Sequence, residues 1–281
     1  MKTILVPTDF SPNADKALNF AVQIAKKSKA KIVLAHACDL LELTFKDNLW
    51  LKKEYNRTVI KEANEKLSAY CASIKETEKV SIRKKIYYGL ITDTILHAVV
   101  ANKADLIIMG TLGSAGIKEK IVGSKTAGVM RKATVPVLAI PLLSEWKPPG
   151  QILLAIDRFS EGQTERVRPL FDLATLFNAV VSVVKFSDTA DRVAYKYMTI
   201  QRAGNSYVKK INLLLPGAPA IFVHLEGRRF DKSIEKYIEK NKIDMLVMIS
   251  HKRNFIKSLF HRSMTKKMAY HSSIPLLAIP A

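Results

Sequence analysis

Apolar residues recur along this chain in two alternating periods. Ile4-Leu5-Val6 is a short continuous run, of the kind that becomes buried on both faces of a parallel sheet. It predicts a first strand over Lys2–Val6. Ala17, Leu18, Phe20, Ala21, Ile24 and Ala25 then return at helical spacing, which predicts a helix over Asn13–Lys27 capped by Ser11 or Asn13. The alternation continues with strands over Lys31–Ala37, Ser81–Tyr88, Leu106–Met109 and Val135–Ile140. Between them, helices fit Leu49–Ser73, Asp93–Asn102 and Ser124–Lys132. Helices between strands require crossover connections, so the sheet is expected to be largely parallel with helices on both faces. Asp105 is expected to cap the turn into its strand, and Gly89 to serve a turn after the third strand.

The pattern then starts again. Leu143–Gly150 holds Pro148, Pro149 and Gly150 and reads as a linker. Beyond it, Ile152–Asp157 echoes Ile4–Asp9, Ala218–Leu225 echoes Ser81–Tyr88, and Ile243–Ile249 echoes Asp105–Met109. Ser273–Pro280 repeats Thr134–Pro141 almost residue by residue. The echoes come in the same order at a nearly constant offset, so two tandem copies of one α/β domain are expected, over 1–142 and 150–281. A chain of 281 residues also suits two domains of the usual 100–200 residues or so. Gly227 is expected to serve the same turn as Gly89. Within Thr189–Leu215, a helix is expected around Ala190–Ala203 with a less regular stretch after it.

Composition changes this picture little. Apolar residues make up 48% and charged residues 25%, ordinary values for a globular protein. The longest apolar runs, such as Ala179–Val184, have strand length and fall far short of a bilayer span. The stretch from Met1 to Asp9 is too short for a signal peptide. Cys38 and Cys71 show no Cys-x-x-Cys spacing, so buried thiols in a reduced, cytoplasmic protein are expected. The net charge of +20 changes more, because it favours anionic partners. The basic residues are spread along helices rather than clustered with aromatics, so they read as solvated helix faces, and nucleic acid is not an expected partner.

The stretch with most chemistry runs from Leu106 to Thr126. A buried strand ends at Met109, Gly110-Thr111-Leu112-Gly113 follows, and after nine residues Gly123-Ser124-Lys125-Thr126 opens a helix. Glycines let backbone N–H groups approach phosphate oxygens. A helix N-terminus adds free N–H groups and partial positive charge, and Ser124 and Thr126 add hydroxyls. The position, beyond the carboxyl end of a parallel strand, is where open α/β sheets bind ligands. Gly110, Gly113, Gly123, Ser124 and Thr126 are therefore read as a nucleotide-phosphate cradle. Its spacing is not that of a Walker A loop.

Gly-x2-Gly-x9-Gly-Ser after a strand and before a helix resembles the ATP-binding signature of the universal stress protein family. ILVPTDFS at the start, GTLG and GSKT in the middle and VPVLAIP at the end of the first half extend the resemblance over nearly the whole chain. It implies ATP as the ligand, with Pro7, Thr8 and Asp9 bordering adenine and ribose. It further implies that the backbone of Ala37, where the family usually has valine, contacts the base. Gly110 and Gly113 would lie along ribose and phosphates, and Gly123, Ser124 and Thr126 would hold the phosphate tail. Lys125 replaces a small apolar residue, within reach of a phosphate or solvated on its helix. Each copy is expected to be Rossmann-like or flavodoxin-like (adenine nucleotide alpha hydrolase-like), a five-stranded parallel sheet in the order 3-2-1-4-5. Similar proteins pair through the last strand, so Val135–Ile140 and Ile274–Ile279 are candidates for an internal pseudo-dimer, with a homodimer a further arrangement.

The second copy departs from the signature. Ser250, Arg253 and Arg262 stand where Gly110, Gly113 and Gly123 stood, and their side chains would keep the backbone from a pyrophosphate. Asp157, Ser263 and Thr265 survive, in a strongly basic stretch from His251 to Lys267. One ATP site per chain is expected, with Mg²⁺ accompanying the phosphates. His36 is expected to be a packed histidine. No nucleophile–base pair and no metal-ligand cluster is evident, so regulatory binding, read by a protein partner, is expected rather than turnover. The alternatives are a scaffold with a vestigial site and a slow ATPase.

Overall fold

The structure, a computed structural model, describes residues 1–38, 40, 49–111, 123–156, 159, 163–188, 194–250 and 274–280. They divide into two compact units that adjoin in sequence at Leu142 and Leu143. The first contains β1 (Thr3–Pro7), α1 (Pro12–Ser28), β2 (Lys31–Cys38), α2 (Leu49–Glu78), β3 (Ile82–Tyr88), α3 (Ile91–Asn102), β4 (Leu106–Gly110), α4 (Ser124–Lys132) and β5 (Val137–Ile140). Its strands run parallel in the order β3-β2-β1-β4-β5, as expected. Ile4, Leu5, Ile32, Leu34, Ile107, Ile108 and Leu138 are fully buried at its centre. Ala17, Leu18, Phe20, Ala21, Ile24 and Ala25 of α1 are all buried in this core. Ser11 caps α1, its Oγ accepting from Ala14 N at 3.2 Å, and Pro12 supplies the preset first turn.

The second unit contains β6 (Gln151–Ile156), α5 (Gln163–Arg166), α6 (Arg168–Phe177), β7 (Val180–Asp188), α7 (Ala194–Leu214), β8 (Ala220–Gly227), α8 (Phe230–Lys240), β9 (Met245–Ser250) and β10 (Leu276–Pro280). Parallel pairing in the order β8-β7-β6-β9-β10 reproduces the first unit's topology. The copies share their hydrogen bonds as well as their order. Asp105 Oδ2 accepts from Lys2 N and Thr3 N at 2.5 and 2.8 Å. Asp244 Oδ2 accepts from Gly150 N and Gln151 N at 2.8 and 2.9 Å. In each copy the carboxylate that opens the fourth strand therefore pins the start of the first.

Two expectations change and one is sharpened. Leu143–Gly150 carries no helix or strand, as a linker would, but it is packed: Ser144 is buried, Trp146 packs edge-on to Phe177 at 5.7 Å, and Lys147 pairs with Asp244 at 2.6 Å. The helix expected to end near Ala203 continues unbroken to Leu214, because Gly204 lies directly against the Phe222 ring. Gly89 has the left-handed φ of +112° that its turn requires. Gly227 has no positive φ and instead makes room for Ser233.

Candidate functional site

Parallel pairing brings the carboxyl ends of β1, β2 and β4 to one edge of the first sheet. Pro7 ends β1, and Thr8 extends the ladder by donating its N–H to Ala35 O at 2.8 Å. The turn that follows is held by its own side chains. Thr8 Oγ1 accepts from Phe10 N at 3.0 Å, and Asp9 Oδ1 accepts from Ser11 N at 3.1 Å. Phe10 between them has φ +60°, a left-handed conformation that costs a non-glycine residue about 1–2 kcal/mol. Its ring lies 4.6 Å from that of His36, with Lys66 Nζ 5.5 Å from its centre.

His36 Nδ1 lies 2.8 Å from Thr8 O. A carbonyl only accepts, so Nδ1 carries the proton. The histidine packs and ties β2 to the β1 turn. Ala37, one residue on, is half-buried and pairs with Tyr87 of β3. Tyr70 of α2 donates to Asp15 Oδ1 at 2.7 Å. Burial, and then that hydrogen bond to a carboxylate, push the Tyr70 phenol up to about 12.

On the β4 side, Gly110 pairs with Ile140. A Cβ on Gly110 would lie 2.5 Å from Asn13 Oδ1 and 2.8 Å from Asn13 O. Asn13 is buried and donates Nδ2 to Ile140 O at 3.0 Å. Gly110 is thus required by packing, a reason distinct from close approach to a phosphate. Thr126 is also buried, and its Oγ1 donates to Gly110 O at 2.8 Å. The expectation of a hydroxyl on the rim does not hold for Thr126, which instead anchors α4 to the end of β4. Gly123 N donates to Thr111 O, and Thr111 N to Ile140 O at 3.0 Å.

Half-buried Gly123 and exposed Ser124 and Lys125 form the tip of this assembly. Gly123 is the N-cap of α4 and gives it no side-chain cap hydrogen bond. The first-turn N–H groups of Ser124, Lys125 and Thr126 have no partner within the helix. Ser124 and Lys125 are exposed beside them. The arrangement offers an anion several N–H donors, a partial positive dipole end, a hydroxyl and an ammonium. A nucleotide's phosphates fit that donor set, and among the described residues no carboxylate lies in the first turn of the helix against them.

Gly110, Gly123, Ser124, Lys125 and Thr126 are therefore drawn to one corner, and Pro7, Thr8, Asp9 and Ala37 to the same sheet edge. Gly113, within 112–122, lies outside the described residues, as do Asp157 and the basic stretch over 251–273. Among the described residues no group of three or more His, Cys, Asp or Glu could hold a metal ion. From the sequence, Asn13 reads only as an alternative helix cap. Its signal was a polar residue in line with Ala17, Phe20, Ala21 and Ile24 on the buried stripe of α1.

Comparison with known proteins accords with this architecture. The model of the universal stress protein family matches twice, over residues 1–141 and 150–280. Universal stress protein MJ0577 of Methanocaldococcus jannaschii is 29% identical over 155 residues, covering 50% of this chain and 94% of that protein. A universal stress protein from Archaeoglobus fulgidus superposes with a TM-score of 0.75 at 18% identity, covering 99% of this chain and 98% of its own. A putative universal stress protein from Pseudomonas aeruginosa gives 0.63 at 16% identity, covering 100% and 93%. At those identities the two structures speak for the fold.

Proposed function

This chain belongs to the universal stress protein family, and from that premise we propose that its first copy binds one adenine nucleotide, ATP, as a regulatory ligand. The observation that carries the reading is the first turn of α4, which opens beyond the end of β4 on a glycine N-cap with no side-chain cap. Phosphates would take the N–H groups of that turn with Ser124 and Lys125, while Gly123 keeps the approach clear. Pro7, Thr8, Asp9 and Ala37 would border the base and ribose, and Gly110, Gly113 and Thr126 would shape the floor. Mg²⁺ would accompany the phosphates. The bound nucleotide would set the surface that a protein partner reads at the loop between Gly113 and Gly123. The two free, buried cysteines suit a reducing compartment, and the cytoplasm is the setting proposed. Among the described residues no helix is long and apolar enough to cross a membrane.

A second reading draws on a specific observation. Gly110 and Thr126 are both engaged in packing β4 against α1 and α4, so part of the motif would persist in a scaffold that no longer binds nucleotide. Mass spectrometry of nucleotide released by denaturing the untreated protein, with an ATP titration of stripped protein, separates the two. Adenine nucleotide in the supernatant and saturable binding support the proposal. Absence of both would leave the scaffold.

A further inference from the structure

α2 and β3 frame a second feature on the flank of the first unit, an open groove of about 880 Å³. β3 is the terminal strand in that unit's order, separated from β4 by β2 and β1. One wall carries Lys52, Lys53, Arg57 and Lys61, and among the described residues no carboxylate lines the groove. Ile60, Ile86 and Tyr88 supply its apolar part, and Tyr88 is 53% exposed. Lys52 and Lys53 make no ion pair among the described residues. Arg57 reaches Glu54 only at 3.8 Å and Lys61 reaches Glu65 only at 4.0 Å, with the two basic side chains 80% and 75% exposed. Exposed pairs of this kind contribute little, so no described residue ties up these four cations.

The spacing narrows the occupant. Lys53, Arg57 and Lys61 recur every four residues, about 6 Å apart along the helix axis. Alternate side chains of an extended peptide recur about every 6.6 Å and point to one side, while the intervening ones point to the other. Successive bases of single-stranded nucleic acid need a series of aromatic faces, whereas this groove offers Ile60, Ile86 and one tyrosine. The chain's net charge of +20 would speed the arrival of an acidic partner. We propose that the groove docks an extended acidic segment of a partner protein. Carboxylates at alternate positions meet Lys53, Arg57 and Lys61, and the apolar side chains between them meet Ile60, Ile86 and Tyr88. This inference does not depend on the nucleotide reading.

The test is fluorescence anisotropy of the full chain with a labelled peptide of alternating Glu and Leu, and with a short labelled oligothymidylate as competitor chemistry. Lys53→Glu/Arg57→Glu is expected to weaken peptide binding about tenfold or more, since it reverses two charges at the contact. Lys209→Glu/Lys210→Glu makes the same change in net charge on exposed positions of α7 and is expected to alter binding by less than about twofold at moderate salt. Ile86→Ser should weaken the part of binding that survives high salt, with thermal melts confirming that each variant is folded. Equal loss from both double variants, tighter binding of the oligothymidylate, or no saturable peptide binding would each overturn the proposal.

Discussion

A methyl group on Gly110 would lie 2.5 Å from Asn13 Oδ1 and 2.8 Å from Asn13 O. The contact includes backbone, so side-chain rotation alone cannot relieve it. Gly110→Ala is therefore expected to destabilise the first copy by about 1–3 kcal/mol, the usual cost of overpacking, read as a lower urea midpoint whether or not nucleotide is present. The sequence made the importance of Gly110 legible, through its place after a buried strand, but not its cause. That depends on Asn13, nearly 100 residues away in the chain, and no local pattern reports such a contact. Thr126 carries the same lesson. Its spacing placed it at the helix start, while only the structure shows it buried on Gly110 O.

At the scale of elements, the sequence located what apolar period and caps define. α4 begins at Ser124 and ends at Lys132, as its pattern predicts, and α1 differs by a residue at each end. No helix is expected from the sequence at α6 or α8, and the one expected at α7 ends too early. Gly204-Asn205-Ser206 reads locally as a helix breaker, yet α7 runs through it. The Phe222 ring occupies the space a Cβ at position 204 would need, so tertiary packing decides against local propensity. This gives a prediction whose sign separates the two effects. On an isolated helix, glycine to alanine stabilises by about 1 kcal/mol. Gly204→Ala here is expected to destabilise by about 1–3 kcal/mol, and Phe222→Leu in the same chain should recover much of the loss. Chemical denaturation of the three variants measures it.

Across the whole molecule, the tandem reading rests on more than order and offset. Each copy pins its first strand with the carboxylate that opens its fourth. Burial raises the pKa of Asp244, but the Lys147 ammonium and the N–H groups of Gln151 and Gly150 outweigh it, and the net shift is downward from 3.8. A carboxyl with a depressed folded pKa contributes stability that is present above its unfolded pKa and lost as pH falls through the folded one. Asp244→Asn should therefore cost the second copy about 1–3 kcal/mol at neutral pH, and the gap from wild type should close as pH falls below 3.8. Trp146, packed on Phe177 in this unit, reports that transition once Trp50 is replaced by Phe. A gap that persists unchanged at low pH would mean the carboxylate charge plays no part.

The central claim is that the first turn of α4 receives nucleotide phosphates, and Gly123 is the place to test it. Its φ of −58° and ψ of 157° suit any N-cap residue, so Gly123→Asp asks for no change in these dihedrals. The new carboxylate would cap the free N–H groups and put negative charge where the phosphates belong. Calorimetric titration of ATP with Mg²⁺ into wild type and Gly123→Asp, with a thermal melt of each, measures both consequences. The account predicts one saturable site per wild-type chain, about a hundredfold weaker binding in the variant, and stability unchanged or a few tenths of a kcal/mol higher. ATP binding that the new carboxylate leaves intact, or a wild-type chain that binds none, would contradict it.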